Sequence, residues 1–287
     1  MNGVYTSQKA IHKAYVRRQD AKYQGMKIVS DKKLNAFVDT SLLASQSPAG
    51  TSGRLKHKLE GDIPYVSKDS IYRYIASPYG RQLEVKLKKI KGKRKRRHTR
   101  KNLGILDGRT FIDKRPKYIN LRMRVGDAEF DFIVSGKSGT GILLTVVDRK
   151  LRKSFLEPIY KVSIAQVHKV MQRVKKRYPE WNTGTTDNDV LFKNHKQLEK
   201  LIDIIIYFCH PYRSSEKGSI ENVNGEVRVD LPKGSDISQY TPSFFKKIEL
   251  KLNSRFMECL QYRTPDEMME KYRTQKKLRD IRRKKRK

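Results

Sequence analysis

The sequence predicts an α/β protein with a mixed sheet, preceded by a small all-helical unit. Three observations carry that expectation. Residues 127–134 alternate strictly, with Asp127, Glu129, Asp131 and Ile133 on one strand face and Ala128, Phe130, Phe132 and Val134 on the other. Residues 141–147 form an apolar run, Gly-Ile-Leu-Leu-Thr-Val-Val, as a central strand requires. A helix signature at residues 67–78, well ahead of the strands, sets the helical unit apart.

Residues 1–45 read as a basic helical arm, loosely specified by Tyr5, Ala10, Ala14, Tyr15 and the Arg17-Arg18 pair. Residues 46–85 read as two short helices. Ser67 is the N-cap of the second, Asp69 lies in its first turn, and Val66 and Ile71 hold the staple positions around the cap. Ile71 and Ile75 recur one turn apart, and Ser77-Pro78 stops the helix. Arg54 belongs to the first helix, while Lys68, Tyr72 and Arg73 lie on the outer sides of the second. Two short helices with a cationic second one fit a helix-turn-helix. Residues 86–117 read as a linker, with Lys93, Arg94, Arg96 and Arg97 in a run that suits phosphates.

From residue 118 to 272 the pattern is that of the α/β domain. A third strand is expected at Ser154–Ile159, then a helix capped by Ser163 with Ile164, Val167, Met171 and Val174 on one face, ending at Tyr178-Pro179. Residues 203–208 read as a buried strand, and helices are expected near 195–201, 214–229, 241–254 and 264–284. Three sequential strands, a helix, and then strand–helix alternation indicate a mixed sheet. Residues 273–287 form a basic tail.

The chain has 287 residues, 65 lysines and arginines against 30 acids, and a formal charge of +35. Such a balance attracts polyanions, nucleic acid first among them. Two cysteines, Cys209 and Cys259, exclude a disulfide framework and fit no metal-ligand spacing. No apolar run approaches a membrane span, so a cytoplasmic protein associated with the chromosome, without a membrane partner, is expected.

Asp131 stands in a row of three acids on one strand face, Asp187 in a polar loop after an unassigned stretch, and Glu221 on a helix. In that helix Lys217, Glu221, Asn224 and Arg228 share one face, and Ile220, Val223 and Val227 share the buried one. Gly218 and Gly225 flank Glu221, as where backbone or DNA comes close. Carboxylates from separate elements suit a pair of hard divalent ions that activate a nucleophile and stabilise a leaving oxygen in phosphodiester cleavage.

The motifs resemble those of bacterial insertion-sequence transposases of the IS-thirty type, in the aspartate–aspartate–glutamate superfamily. Arg115-Pro116 and Gly126 to Asp131 are similar to the first motif, Thr186-Asp187-Asn188 to the second, and His210-Pro211-Tyr212 with Glu216 to Gly225 to the third. Leu231-Pro232-Lys233-Gly234, Leu252-Asn253 and Tyr262-Arg263-Thr264-Pro265 follow in order, and Ser47-Pro48, Ser52 to Leu55 and Val66 to Ile75 resemble the helix-turn-helix region.

The resemblance implies a ribonuclease-H-like catalytic core with Asp131, Asp187 and Glu221 as catalytic metal ligands and Asp127 and Glu129 behind them. It implies Mg2+ or Mn2+ as cofactor. The implied partners are the element's terminal inverted repeats and target DNA, bound by an oligomer of the chain. Lys217 and Arg228 join the residues expected to contact DNA. Three departures stand out. Ala128 replaces a tryptophan, Asp189 a glycine and Leu191 a glutamate usual nearby, and residues 1–45 resemble the connector that follows a further helix-turn-helix. An alternative is a truncated or inactive copy that only binds DNA. A basic RNA-binding protein is a third reading, but it gives the aligned acids no role.

Overall fold

A computed structural model describes residues 6–19, 26–80, 83, 108–137, 139–211 and 213–285. The run containing Lys93, Arg94, Arg96 and Arg97 lies outside the described residues. The chain divides into two compact units: Met1–Arg94 with Phe256–Tyr262, and Lys95–Arg255 with Arg263–Lys287.

The first unit holds α1 (Ser7–Gln19), α2 (Met26–Val29), α3 (Lys32–Leu43), α4 (Pro48–Lys56) and α5 (Lys68–Ala76). Each of α3, α4 and α5 starts at a side-chain cap. Asp31 accepts from the Lys33 and Leu34 amides, Ser47 from Gly50, and Ser67 from Ser70. Val66 and Ile71 are both fully buried, as the staple around Ser67 requires.

Where composition suggested only a loose arm, Leu34, Val38 and Leu42 of α3 share a core with Leu55, Ile71 and Ile75. The Tyr74 hydroxyl ties α5 to α3, donating to Asp39 Oδ1 at 2.7 Å and accepting from Asn35 Nδ2 at 3.2 Å. Phe256–Tyr262 packs into this unit from far along the sequence. The Phe256 amide donates to Gln46 Oε1 at 2.9 Å, and Gly53 faces the Tyr262 ring so closely that a Cβ would lie 2.1 Å from Cε1.

The second unit holds α6 (Lys117–Asn120), β1 (Asp127–Val134), β2 (Ile142–Asp148), β3 (Ser154–Ile159), α7 (Ile164–Arg177), β4 (Thr183–Thr186), α8 (His195–Ile202), β5 (Ile205–Phe208), α9 (Gly218–Asp230), α10 (Pro242–Asn253) and α11 (Pro265–Lys285). The sheet order is β3-β2-β1-β4-β5, with β1, β2 and β3 antiparallel and β4 and β5 parallel to β1. Ala128, Phe130 and Phe132 pack on one side against Val167, Met171 and Val174 of α7, Leu198 of α8 and Met269 of α11. On the other side Ile133, Leu143 and Val147 meet Ile220, Val223 and Val227 of α9 and Phe245 and Ile248 of α10. Each buried aliphatic on α9 contributes about 1.5–3 kcal/mol, which holds the helix against β1 and β2.

Two elements differ from the sequence reading. β4 is a strand of only Thr-Gly-Thr-Thr, with no large apolar residue to mark it. Its glycine is sterically required, because a Cβ on Gly184 would lie 2.3 Å from Phe130 Cε1. The strand expected from Asp203 begins at Ile205, since Asp203 at φ 51° closes α8 in the left-handed region. The helix expected near 264–284 is α11, which carries the first part of the basic tail and is exposed from Thr274 to Lys284. Among the described residues, no helix is long and apolar enough to cross a membrane.

Candidate active site

The parallel pairing of β1 with β4 sets the site. Asp127 pairs with Thr183, Ala128 with Gly184 and Glu129 with Thr185. Continued by two residues along each chain, that register puts Asp131 level with Asp187, and paired strands lie about 4.8 Å apart. The two carboxylates converge on one cation. Lys217 Nζ lies 3.0 Å from Asp187 Oδ2 and 3.6 Å from Asp131 Oδ1. The Lys217 side chain is 8% exposed, that of Asp131 20% and that of Asp187 50%.

Asp131 is held from several sides. Its Oδ2 accepts from Asn224 Nδ2 at 3.0 Å and its Oδ1 from the Phe132 amide at 2.9 Å. The Asn224 amide is oriented by Thr145, whose hydroxyl donates to Asn224 Oδ1 at 2.8 Å. Burial pushes the Asp131 carboxyl up to about 6, with Lys217 opposing that rise and Asp187 adding to it. Burial alone would lower the Lys217 pKa, but the charges of Asp131 and Asp187 outweigh it and raise the value.

Asp127 and Glu129 share the Asp131 face but are engaged internally. Asp127 is fully buried, pairing with Arg124 at 2.6 Å and accepting from the Thr183 hydroxyl at 2.7 Å. Glu129 pairs with the buried Arg149 and accepts from the Ile220 amide at 2.9 Å. A β1 carboxylate thus caps the first turn of α9, a favourable placement for a negative charge, and fixes the residue next to Glu221.

Glu221 is exposed on α9. Lys217, four residues earlier, and Asn224, three residues later, both touch Asp131, so Glu221 belongs to the helix face turned to that acid. The three acids do not close on one point by themselves. Among the described residues, no three His, Cys, Asp or Glu side chains lie close enough to hold an ion alone. A Cβ added at Gly218 or Gly225 would meet nothing within 4 Å beyond the helix's own backbone, so among the described residues no other segment crowds either glycine.

Asn188 anchors the Asp187 loop. Its Nδ2 donates to the Cys209 carbonyl at 2.8 Å, and its Oδ1 accepts from Arg109 at 2.7 Å. Asp189 turns away to cap its own short turn, accepting from the Leu191 amide at 2.8 Å. With φ −68° the position does not need glycine. On the next loop, His210 spans Asp113 Oδ2 at 2.7 Å and Glu216 Oε1 at 3.0 Å, just ahead of Lys217. Sequence reading missed this clamp and the Lys217 bridge, because neither follows from a local period.

The residues expected to contact DNA are placed variously. Lys68, Tyr72 and Arg73 are exposed on α5. Arg54 is buried, paired with Glu60 and set 4.4 Å over the Phe256 ring. Arg228 donates to the Val134 and Pro232 carbonyls at 3.2 and 3.3 Å.

The sheet order and the helices on both faces give the arrangement expected of a ribonuclease-H-like core. No protein-family model matches the chain. The transposase for insertion sequence element IS4351 of Bacteroides fragilis is 34% identical over 277 residues, covering 93% of this chain and 81% of that protein. Transposase InsI for insertion sequence element IS30A of Escherichia coli K12 is 30% identical over 182 residues, covering 61% of this chain and 47% of that protein. The crystal structure of the BIV integrase catalytic core domain superposes with a TM-score of 0.39 at 19% identity, covering 52% of this chain and 97% of that one. The chain belongs to the transposases of bacterial insertion sequences, as its IS-thirty-type motifs imply. It is a DNA transposase, of a class that works with divalent metal ions.

Proposed function

We propose that Asp131, Asp187 and Glu221 form the site at which this transposase cuts the ends of its element and joins them to target DNA, with Mg2+ as the working ion. The observation that carries this reading is the shared cation: one positive charge is already held between Asp131 and Asp187 at 3.6 and 3.0 Å. The donors are all oxygens, as a hard divalent ion prefers, and such ions complete their shell with substrate phosphates rather than a closed protein cage. Bound there, the ions would activate the attacking oxygen and stabilise the leaving one. The chain's own residues do the positioning. Asn224 and the Phe132 amide fix the Asp131 carboxylate, Glu129 fixes the start of α9, and Glu221 stands exposed toward the incoming strand.

Duplex DNA carrying the element's terminal inverted repeats is the proposed substrate, bound by an oligomer. Lys68, Tyr72 and Arg73 on the open side of α5 are its proposed contacts in the helical unit. The open space around Gly218 and Gly225 lets a phosphate backbone approach α9 beside Glu221. Cleavage and joining of a labelled element end with Mg2+, wild type beside Asp131→Asn, tests the proposal. Products are expected from wild type only, with duplex binding retained in the variant. Full activity in Asp131→Asn would sink the assignment. Binding without turnover by the wild type would make the chain a DNA-binding copy.

A further inference from the structure

Lys217 was expected to face DNA, yet its ammonium lies between the two aspartates. The side chain is nearly buried, its only ion pairs among the described residues are with Asp131 and Asp187, and Glu221 one turn away is not among them. The ammonium therefore lies against the same oxygens that would hold a divalent ion if Asp131 and Asp187 are its ligands. Both cations cannot share it, because a dication a few ångströms from an ammonium in a partly dry site is strongly repelled.

We propose that Lys217 is the resident counter-cation of the Asp131–Asp187 pair, that a divalent ion enters by displacing it, and that the displaced ammonium is received by a DNA phosphate, so that metal and DNA bind cooperatively. This rests on the assignment of Asp131 and Asp187 as the metal site. A lysine at the end of a long stem can exchange partners by rotamer changes alone, and it binds phosphate as a point charge. The destination lies close by, since Lys217 immediately precedes α9, whose exposed face around Gly218 and Gly225 is open. Without DNA the ion must compete against the ammonium for the two aspartates. With DNA that competition is relieved. The free enzyme is thus kept electrostatically balanced and takes up its ions when substrate is present.

The test is Mn2+ binding to the full chain by titration calorimetry, without DNA and with a short duplex, using the duplex alone as blank. For the wild type the duplex should tighten Mn2+ binding by about tenfold, and by reciprocity Mn2+ should tighten duplex binding by the same factor. Lys217→Met, which keeps the stem and removes the charge, should bind Mn2+ without DNA about tenfold more tightly than wild type and lose most of the DNA-induced gain. Lys217→Arg should keep both wild-type behaviours. No coupling in the wild type, or a Lys217→Met chain that binds Mn2+ no more tightly, would overturn the proposal; the wild-type arm needs no variant to fold. Asp131→Asn separates the two levels. If it binds Mn2+ as the wild type does, the metal-site assignment fails, and Lys217 with it.

Discussion

At the residue scale, the chemistry of this chain depends on which of several similar acids are free to act. Asp127, Glu129 and Asp131 share one face of β1, and strand alternation alone cannot rank them. The structure ranks them by partner: Arg124 and Thr183 satisfy Asp127, Arg149 and the Ile220 amide satisfy Glu129, and Asp131 is left toward Lys217 and Asp187. Asp131 and Asp187 were legible in the motifs, whereas the ammonium between them was not, because it arises from two strands and a turn brought together in space. His210 carries a pH prediction. Its hydrogen bond to Glu216, then the charges of Asp113 and Glu216, raise its pKa above the ordinary value. A raised folded-state pKa means the clamp's contribution is fully present below about pH 6.5, the unfolded histidine value, and is lost as pH rises through the folded one. The melting-temperature gap between wild type and His210→Gln should therefore be wide at pH 6 and narrow at pH 9. His210 also stacks on Phe111 with ring centroids 5.6 Å apart, and a gap independent of pH would show that the ring acts by that packing alone.

At the element scale, β1, β2 and β3 and the helices with clear caps were readable because each carries its own period or its own Ser, Thr or Pro signal. β4 was not. Its four residues are buried by their place between β1 and β5, and Gly184 is dictated by a ring on the neighbouring strand. The edge of the sheet shows the same dependence on distant residues. Asn253 Oδ1 accepts from the Ser154 amide and its Nδ2 donates to the Ser154 carbonyl, both at 2.8 Å, while Glu249 accepts from the Leu156 amide at 2.8 Å. Two side chains of α10 thereby satisfy the outer backbone of β3, which would otherwise be an open edge. Asn253→Ala strands two buried backbone groups and should cost about 2–4 kcal/mol. Urea unfolding monitored by Trp181, which is buried in the same unit, would register it as a lower midpoint. An unchanged midpoint would mean that water replaces the amide without penalty.

At the scale of the whole molecule, a net charge of +35 makes association with DNA a salt-governed process. The charge was plain in the composition, but which cations are available was not. Arg54 is held inside its unit by Glu60 and Phe256, while Lys68 and Arg73 are exposed. The reason is again non-local, since Phe256 arrives from about two hundred residues downstream. Duplex affinity followed by fluorescence anisotropy across a KCl series should fall by about 10³–10⁵ between 50 and 200 mM if 6–10 phosphates are engaged. Lys68→Ala and Arg73→Ala should each lower the magnitude of the salt slope by about 1 if they contact phosphate. A slope unaltered by both would move the DNA to another face of the unit.

The central claim, that Asp131, Asp187 and Glu221 act as one site, is tested most directly by single-turnover strand transfer of an element end with Mg2+. The set comprises wild type, Asp131→Asn, Asp187→Asn, Glu221→Gln and the triple variant. Groups that act as a unit lose activity together, so each single change should cost at least about 10³-fold and the triple no more than the worst single. A Glu221→Gln chain transferring strands at the wild-type rate would contradict the account.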